Sequence, residues 1–409
     1  MKKRLRPLAV LFIFTITVVA CVSPITTDGA QPSSSNDVAT MVSMTLQALA
    51  PQAASAPTSV PESTTNLLPQ RLYFLSHDSQ SILQVFRLER DGRTKTQLTF
   101  EPTQVWDYTV SPADGNLAYE VNSQLVLVNA DGSNRRTLIQ GAPNAQGRGF
   151  YKPVFSPDGK RLAYARGGLN VYDLASGVNA FVLEDHPLEG SLPPETYAPA
   201  SFSPDGTKLL LTIGHPPDSP FTAALYTLAA NVLSQFAGSN EGLTCCNFYG
   251  GAQWTADSSS FYSVASQVDS AYKFGELWRV EAASAAVTTM LTPQNQTINL
   301  PEEPYLAPDG QLYFFLGTYS VDSGFFDAPA LALVRSAPDG VTGRTVLRNE
   351  NFVLMNEALW APDASFVIVA TRPARNWDQA GGVLELYPTD GQKGPIWLAS
   401  FGQQMQWGP

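Results

Sequence analysis

A four-residue phrase, clearest as Ser156-Pro157-Asp158-Gly159, recurs along this chain at an almost constant interval. It stands as Ser111-Pro112-Ala113-Asp114-Gly115, Ser203-Pro204-Asp205-Gly206, Thr255-Ala256-Asp257, Ala307-Pro308-Asp309-Gly310 and Ala361-Pro362-Asp363. A shortened copy, Trp407-Gly408-Pro409, closes the sequence. Counted to Gly408, the steps are 45, 47, 52, 52, 54 and 47 residues. Repetition at that period means one supersecondary unit used many times, each burying its apolar face on the next. The phrase is turn chemistry: Pro presets φ, Asp bonds its own backbone and Gly supplies a positive φ.

Each turn is followed by a short run with strand periodicity and aromatic or β-branched content. These runs are Leu117-Ala118-Tyr119, Leu162-Ala163-Tyr164, Leu209-Leu210-Leu211, Phe261-Tyr262, Leu312-Tyr313-Phe314 and Phe366-Val367-Ile368. A further strand, such as Leu125–Val128 or Leu277–Val280, leads to another tight turn and a fourth strand. Four antiparallel strands per repeat make a propeller blade. The segment Leu72–Thr99 supplies later strands of a blade without its first, and Gln404–Pro409 supplies a first strand alone. Joining them leaves no open sheet edge, which an aggregating chain would exploit. The expectation is an all-β, seven-bladed β-propeller over residues 69–409, closed by pairing of its N- and C-terminal strands. Six or eight blades would require one misread unit.

The stretch Ser156-Pro157-Asp158-Gly159-Lys160-Arg161-Leu162-Ala163-Tyr164 resembles the WD-like repeats of TolB-type propellers. It is similar also to repeats in the propeller domains of prolyl oligopeptidase and dipeptidyl-peptidase relatives. The likeness runs over residues 69–409 and is eroded at Thr255 and Ala361. TolB carries a separate N-terminal α/β domain and commonly six blades. Neither is read here, so its role is not carried over.

Residues 1–21 read as an export signal. Lys2, Lys3, Arg4 and Arg6 precede an apolar run from Leu8 to Val19, too short for a comfortable membrane span. The run ends Val18-Val19-Ala20-Cys21, which resembles a bacterial lipobox with Cys21 as the lipidated residue. Residues 22–68, rich in Ser, Thr, Pro, Ala and Gln, bury too little apolar surface to offset chain entropy, and read as a flexible tether. The implied location is extracytoplasmic, periplasmic or cell-surface, with the membrane reached through the lipid anchor alone. The net charge of −11 becomes −15 without the four basic residues of the signal. An acidic chain without basic clusters is a poor match for nucleic acid. A monomer is expected.

Familiar catalytic signatures are missing. No Gly-x-Ser-x-Gly elbow occurs, as a hydrolase relative would need. The three histidines, His77, His186 and His215, share no metal-ligand spacing, so neither a metal nor a cofactor is expected. Cys245-Cys246 are adjacent in an exported chain. Their alpha carbons lie about 3.8 Å apart, below the usual disulfide span, so a vicinal disulfide and two thiols both stay open.

The tight turns all fall on one face of such a ring, and length variation falls on the other, where binding usually sits. That face would carry Tyr272, Tyr319, Phe325, Phe326, Trp377 and the cysteine pair. The residue before each turn is apolar: Val110, Phe155, Phe202, Trp254, Leu306, Trp360 and Trp407, expected between blades. Three residues further back the ring reads Asp107, Lys152, Pro199, Gly251, Glu303, Glu357 and Gln404. Asp107, Glu303 and Glu357, assisted by Lys152 and Gln404, could hold a cationic or hydroxyl-rich ligand at the channel mouth. Polar residues lining a wet channel would look the same. The chain therefore reads as a binding or protein-interaction module rather than an enzyme, its partner an envelope protein, a small polar or cationic ligand, or a glycan. Two alternatives are a polysaccharide lyase or glycosidase using the paired carboxylates, and a structural subunit of an envelope complex.

Overall fold

The computed structural model describes residues 66–141, 151–186, 195–214, 222–236, 248–269, 272–291, 297–320, 330–353, 355–372 and 380–409. Every element in them is a β-strand. The signal, Cys21 and the tether up to residue 65 lie outside the described residues, as do Cys245, Cys246, His215, Phe325, Phe326 and Trp377. Leu67 and Leu68, read above as the end of the tether, pack into the β-structure instead. Leu68 is buried and its amide donates to Arg90 O at 2.9 Å.

The strands open with β1 (Arg71–His77), β2 (Leu83–Leu88) and β3 (Lys95–Gln97). A first four-stranded sheet follows, of β4 (Asp107–Val110), β5 (Leu117–Val121), β6 (Gln124–Val128) and β7 (Arg136–Gln140). The second holds β8 (Val154–Phe155), β9 (Arg161–Ala165), β10 (Gly168–Asp173) and β11 (Asn179–Glu184). The third holds β12 (Thr196–Phe202), β13 (Lys208–Gly214), β14 (Thr222–Thr227) and β15 (Val232–Gln235). The fourth has β16 (Phe248–Trp254), β17 (Ser260–Asp269), β18 (Tyr272–Glu281) and β19 (Val287–Leu291). The fifth has β20 (Thr297–Leu306), β21 (Leu312–Ser320), β22 (Ala332–Ser336) and β23 (Thr345–Asn351).

The last strands are β24 (Met355–Trp360), β25 (Phe366–Thr371), β26 (Gly382–Pro388) and the 13-residue β27 (Ile396–Gly408). They join the first three in one seven-stranded sheet, ordered β24-β25-β26-β27-β1-β2-β3. Along its first half β27 pairs with β26, as Leu386↔Ile396 and Gly382↔Gly402. Along its second half it pairs with β1, as Leu72↔Trp407 and Arg71↔Gly408.

Apolar alternation sends side chains from each sheet into the next. Tyr73 and Val85 meet Tyr108, Leu117 and Val126; Ala163 and Leu169 meet Phe202, Leu211 and Tyr226; Phe315 and Leu333 meet Trp360 and Val367. Phe366, Ile368 and Leu384 meet Leu72 and Phe74 across β27. Burying one such side chain contributes about 1.5–3 kcal/mol, against 0–1 for an exposed ion pair, so the stacked faces hold the fold. The residues preceding the turns lie where expected: Val110, Phe155, Phe202 and Trp360 are buried, and Trp254, Leu306 and Trp407 are half-buried against these clusters.

The turns show why the phrase recurs. Gly159 N–H donates to Ser156 O at 2.9 Å with φ 68°, a conformation that glycine adopts without strain. Ser156 Oγ donates to Asp158 Oδ1 at 2.6 Å and accepts Arg161 N–H at 2.9 Å. The Ser203 turn repeats this, with Oγ to Asp205 Oδ1 at 2.6 Å and Lys208 N–H to Oγ at 3.0 Å. Hydroxyls also hold the turn carboxyls down: Ser156 lowers Asp158, Ser365 lowers Asp363, and Thr255 takes Asp257 to about 2. In the first copy the inserted Ala113 moves the aspartate one residue away. Ser111 Oγ is left buried without a partner.

Ser156→Ala and Ser203→Ala should each cost roughly 1 kcal/mol of unfolding free energy, while Ser111→Ala should change it by less than about 0.5 kcal/mol. Urea denaturation of the three variants checks this. Equal losses at all three positions would show that the hydroxyl–aspartate bond is not what the repeat preserves.

Candidate functional site

The ring position picked out in the sequence coincides with a break in strand register. Bulges interrupt the pairing of β12 near Pro199, β16 near Gly251, β20 between Glu302 and Tyr305, and β24 between Met355 and Glu357. The β1–β27 pairing shifts between Tyr73 and Leu75, opposite Gln403–Gln406. Lys152, Glu303 and Gln404 adopt left-handed φ of 43°, 49° and 54°. Such a backbone costs a non-glycine residue of order 1 kcal/mol or more and persists only where neighbours over-determine it.

Gln404 is held in that way. Its N–H donates to Glu357 Oε2 at 2.7 Å, and its carbonyl accepts Tyr108 O–H at 2.7 Å. Its side-chain Nε2 donates to Trp106 O at 3.3 Å, and Met405 N–H donates to Glu357 Oε1. Its Oε1 is buried without a hydrogen-bond partner. Next along the strand, the Gln406 amide bridges to β4, donating to Tyr108 O and accepting Val110 N–H, both at 3.0 Å. Indole N–H groups tie the same strands at the next level. Trp360 donates to Glu303 O at 2.8 Å and Trp407 to Trp360 O at 2.7 Å.

The structure thus brings Asp107, Glu303, Glu357 and Gln404 to adjoining inner strands. Asp107 Oδ1 accepts its neighbour Tyr108 N–H at 2.8 Å. Glu303 and Glu357 are half-buried and surrounded by protein. Desolvation pushes Glu303 up to about 8, aided by the charges of Glu302 and Glu357. Desolvation also pushes Glu357 up to about 7 against the opposing pull of the Met405 and Gln404 amides. Burial, with the charges of Glu357 and Asp107, drives the Tyr108 phenol well above its usual range. Among the described residues, neither Glu303 nor Glu357 forms an ion pair with a Lys, Arg or His. Lys152 is exposed on the chain just before β8.

Tyr108 was not singled out in the sequence because it alternates like any core residue of β4. Its role depends on a carbonyl 296 residues away. Glu120 was missed for the same reason: it is buried on β5 opposite Asp107, and its carboxylate accepts Tyr151 N–H at 3.0 Å. Among the described residues no group of three or more His, Cys, Asp or Glu is arranged to hold a metal. His77 packs at a tilt against Phe401, ring centroids 4.7 Å apart, and His186 lies 3.7 Å from Glu195. Tyr272 and Tyr319 are placed only as backbone in β18 and β21. The large exposed aromatics of the described residues are Phe100, Phe181 and Trp397, all away from the inner strands.

No family model and no curated protein matches the sequence. Solved structures do match. A prolyl endopeptidase aligns over 83% of this chain and 49% of its own length, at 13% identity and a TM-score of 0.55. This chain therefore spans about half of that protein. An oligogalacturonate lyase in complex with manganese aligns over 80% of this chain and 84% of its own length, at 12% identity and a TM-score of 0.50. TolB from Acinetobacter baumannii aligns over 83% and 82%, at 13% identity and a TM-score of 0.39.

The carboxyl shifts set opposite pH dependences. A raised Glu303 contributes stability that is present below its ordinary 4.5 and lost as pH climbs through 8. A lowered Asp257 contributes stability that is present above its ordinary 3.8 and lost as pH falls through 2. The thermal midpoint should therefore peak near pH 4–5 and decline towards pH 9. Glu303→Gln should remove much of that decline, gaining roughly 1–3 kcal/mol at pH 9 after allowance for solvent screening. Scanning calorimetry from pH 3 to 9 tests it, and parallel curves for the two proteins would refute it. Repeated four-stranded sheets, packed one on the next and matched in fold by part of a solved prolyl endopeptidase, give this chain its fold: an all-β propeller.

Proposed function

We propose that the chain is a lipid-anchored, extracytoplasmic seven-bladed propeller that binds a cationic or hydroxyl-rich ligand at the mouth of its central channel. The seven-blade reading is supported by β27. Taken as the outer strand of one blade and the inner strand of the next, it divides the seven-stranded sheet into two sets of four. The extracytoplasmic reading is supported by the basic and apolar opening and the Val18-Val19-Ala20-Cys21 sequence.

The binding reading rests chiefly on one observation: Glu303 and Glu357 share an enclosed, half-solvated position without an ion-pairing cation among the described residues. Burial that disfavours a carboxylate is relieved when a ligand cation arrives, so a protonated Glu303 would ionise on binding. For a sugar, the same protonated carboxyl donates one hydrogen bond and accepts another. Asp107 and Gln404 Oε1 add acceptors on the neighbouring strands, and Lys152 guards the rim. A carboxyl that keeps its proton near neutrality is also what a glycosidase or lyase needs of a general acid. The enzyme reading is therefore second. The fold shared with an oligogalacturonate lyase is compatible with it.

Isothermal titration at pH 7 against linear amines and neutral oligosaccharides should give binding to one class, weakened at least tenfold by Glu303→Gln and by Asp107→Asn. Unchanged affinity in both variants would remove the site. Turnover of the bound sugar, lost in Glu303→Gln, would favour the enzyme reading. In a bacterial host Cys21→Ser should move the protein from the membrane to the soluble fraction, since an acyl anchor contributes about 0.8 kcal/mol per buried methylene. Retention at the membrane would sink the lipid-anchor reading.

A further inference from the structure

Glu357 is used differently from the other carboxyls of the ring position. Its two oxygens face two successive backbone amides, Gln404 N–H and Met405 N–H, on the strand that pairs with β1. Successive N–H groups turned to one side by a left-handed residue form a concave anion site. In this chain an internal carboxylate fills it. Glu120 and Asp185 likewise accept amides between other sheets, from Tyr151 N–H and Tyr197 N–H. At the β27 joint one carboxylate takes two successive amides of a neighbouring strand.

We propose that Glu357 is a proton-operated clasp on the β27–β1 joint. As a carboxylate it accepts both amides. Adding one proton to either oxygen neutralises the carboxyl and converts that oxygen into a hydroxyl, so one amide faces a poor acceptor while the other keeps only a neutral carbonyl oxygen. The freed amide is Gln404's or Met405's, in the stretch whose left-handed turn sets the register against β1. The clasp thus tightens as pH rises through neutrality and slackens as it falls.

The surroundings tune the proton. From β20, Glu303 feels the charges of Glu302 and Glu357 and keeps its proton up to about 8, so it is largely neutral where Glu357 titrates. From β4, Tyr108 and Asp107 share the same field. Arg372 donates to Asn356 Oδ1 at 2.6 Å, one residue before Glu357 in the chain. Burial holds Glu357 near 7, inside the range a cell envelope meets. The clasp does not depend on the channel mouth taking a ligand.

The test is amide NMR of the full-length chain between pH 5.5 and 8.5, without added ligand. The Gln404 and Met405 proton resonances should move downfield together as pH rises, with a midpoint near 7. Glu357→Gln should abolish that movement, and Glu303→Gln should keep it with a midpoint still near 7. Flat resonances in the wild type would overturn the proposal. So would movement that survives in Glu357→Gln, or that vanishes in Glu303→Gln, which would assign the charge to Glu303. If Glu357→Gln fails to fold, the wild type and Glu303→Gln decide the matter alone.

Discussion

The fold depends on one strand meeting the hydrogen-bonding needs of two neighbours, one from each end of the chain's β-structure. β27 gives its first half to β26 and its second to β1, bringing the two ends of the chain's β-structure into one ladder. Buried backbone amides and carbonyls must be paired, and an unpaired edge on a stack of sheets would invite other chains. Side-chain bonds reinforce the joint. The Gln406 amide spans to β4 as though it were backbone, and the Trp407 and Trp360 indoles pass a hydrogen bond from each inner strand to the one before it.

That reinforcement has an electrostatic consequence. Crowding three inner strands at the joint encloses Glu303, Glu357 and Asp107 among protein atoms and like charges. Desolvation then outweighs what backbone amides return to Glu357, and its proton leaves only near neutral pH. The carboxyls of the tight turns behave oppositely. Exposed and hydrogen-bonded by Ser and Thr hydroxyls, Asp158, Asp257 and Asp363 hold their charge more firmly than free aspartate. One type of side-chain group thus has opposite acid–base behaviour at opposite ends of the same inner strands.

Much of this was legible from residue order. The turn phrase located the strand pairs, because Asp and Gly at fixed offsets have a local reason to be there, and the apolar residue before each turn marked the packed seam. Asp107, Glu303, Glu357 and Gln404 were found by counting back from the turn, and the structure places them on adjoining strands. Lys152 satisfied the same count and is exposed, where Glu303 and Glu357 are half-buried, since register fixes a residue's level in a strand and not its surroundings. Ser111 looked like its counterparts, yet Ala113 separates it from its aspartate. Leu68 looked like tether until its contacts with the β-structure were visible.

Local chemistry in the sequence determined the turns, the alternation and hence the repeated antiparallel units, because each depends on residues a few positions apart. Only the tertiary structure decided what the carboxyls do. Whether Glu357 meets a ligand or two backbone amides depends on Gln404 and Met405, 47 and 48 residues away. Its proton affinity depends on burial that no stretch of sequence contains. Desolvation and long-range pairing are properties of the assembled sheets, and the chemistry of these carboxyls arises from them.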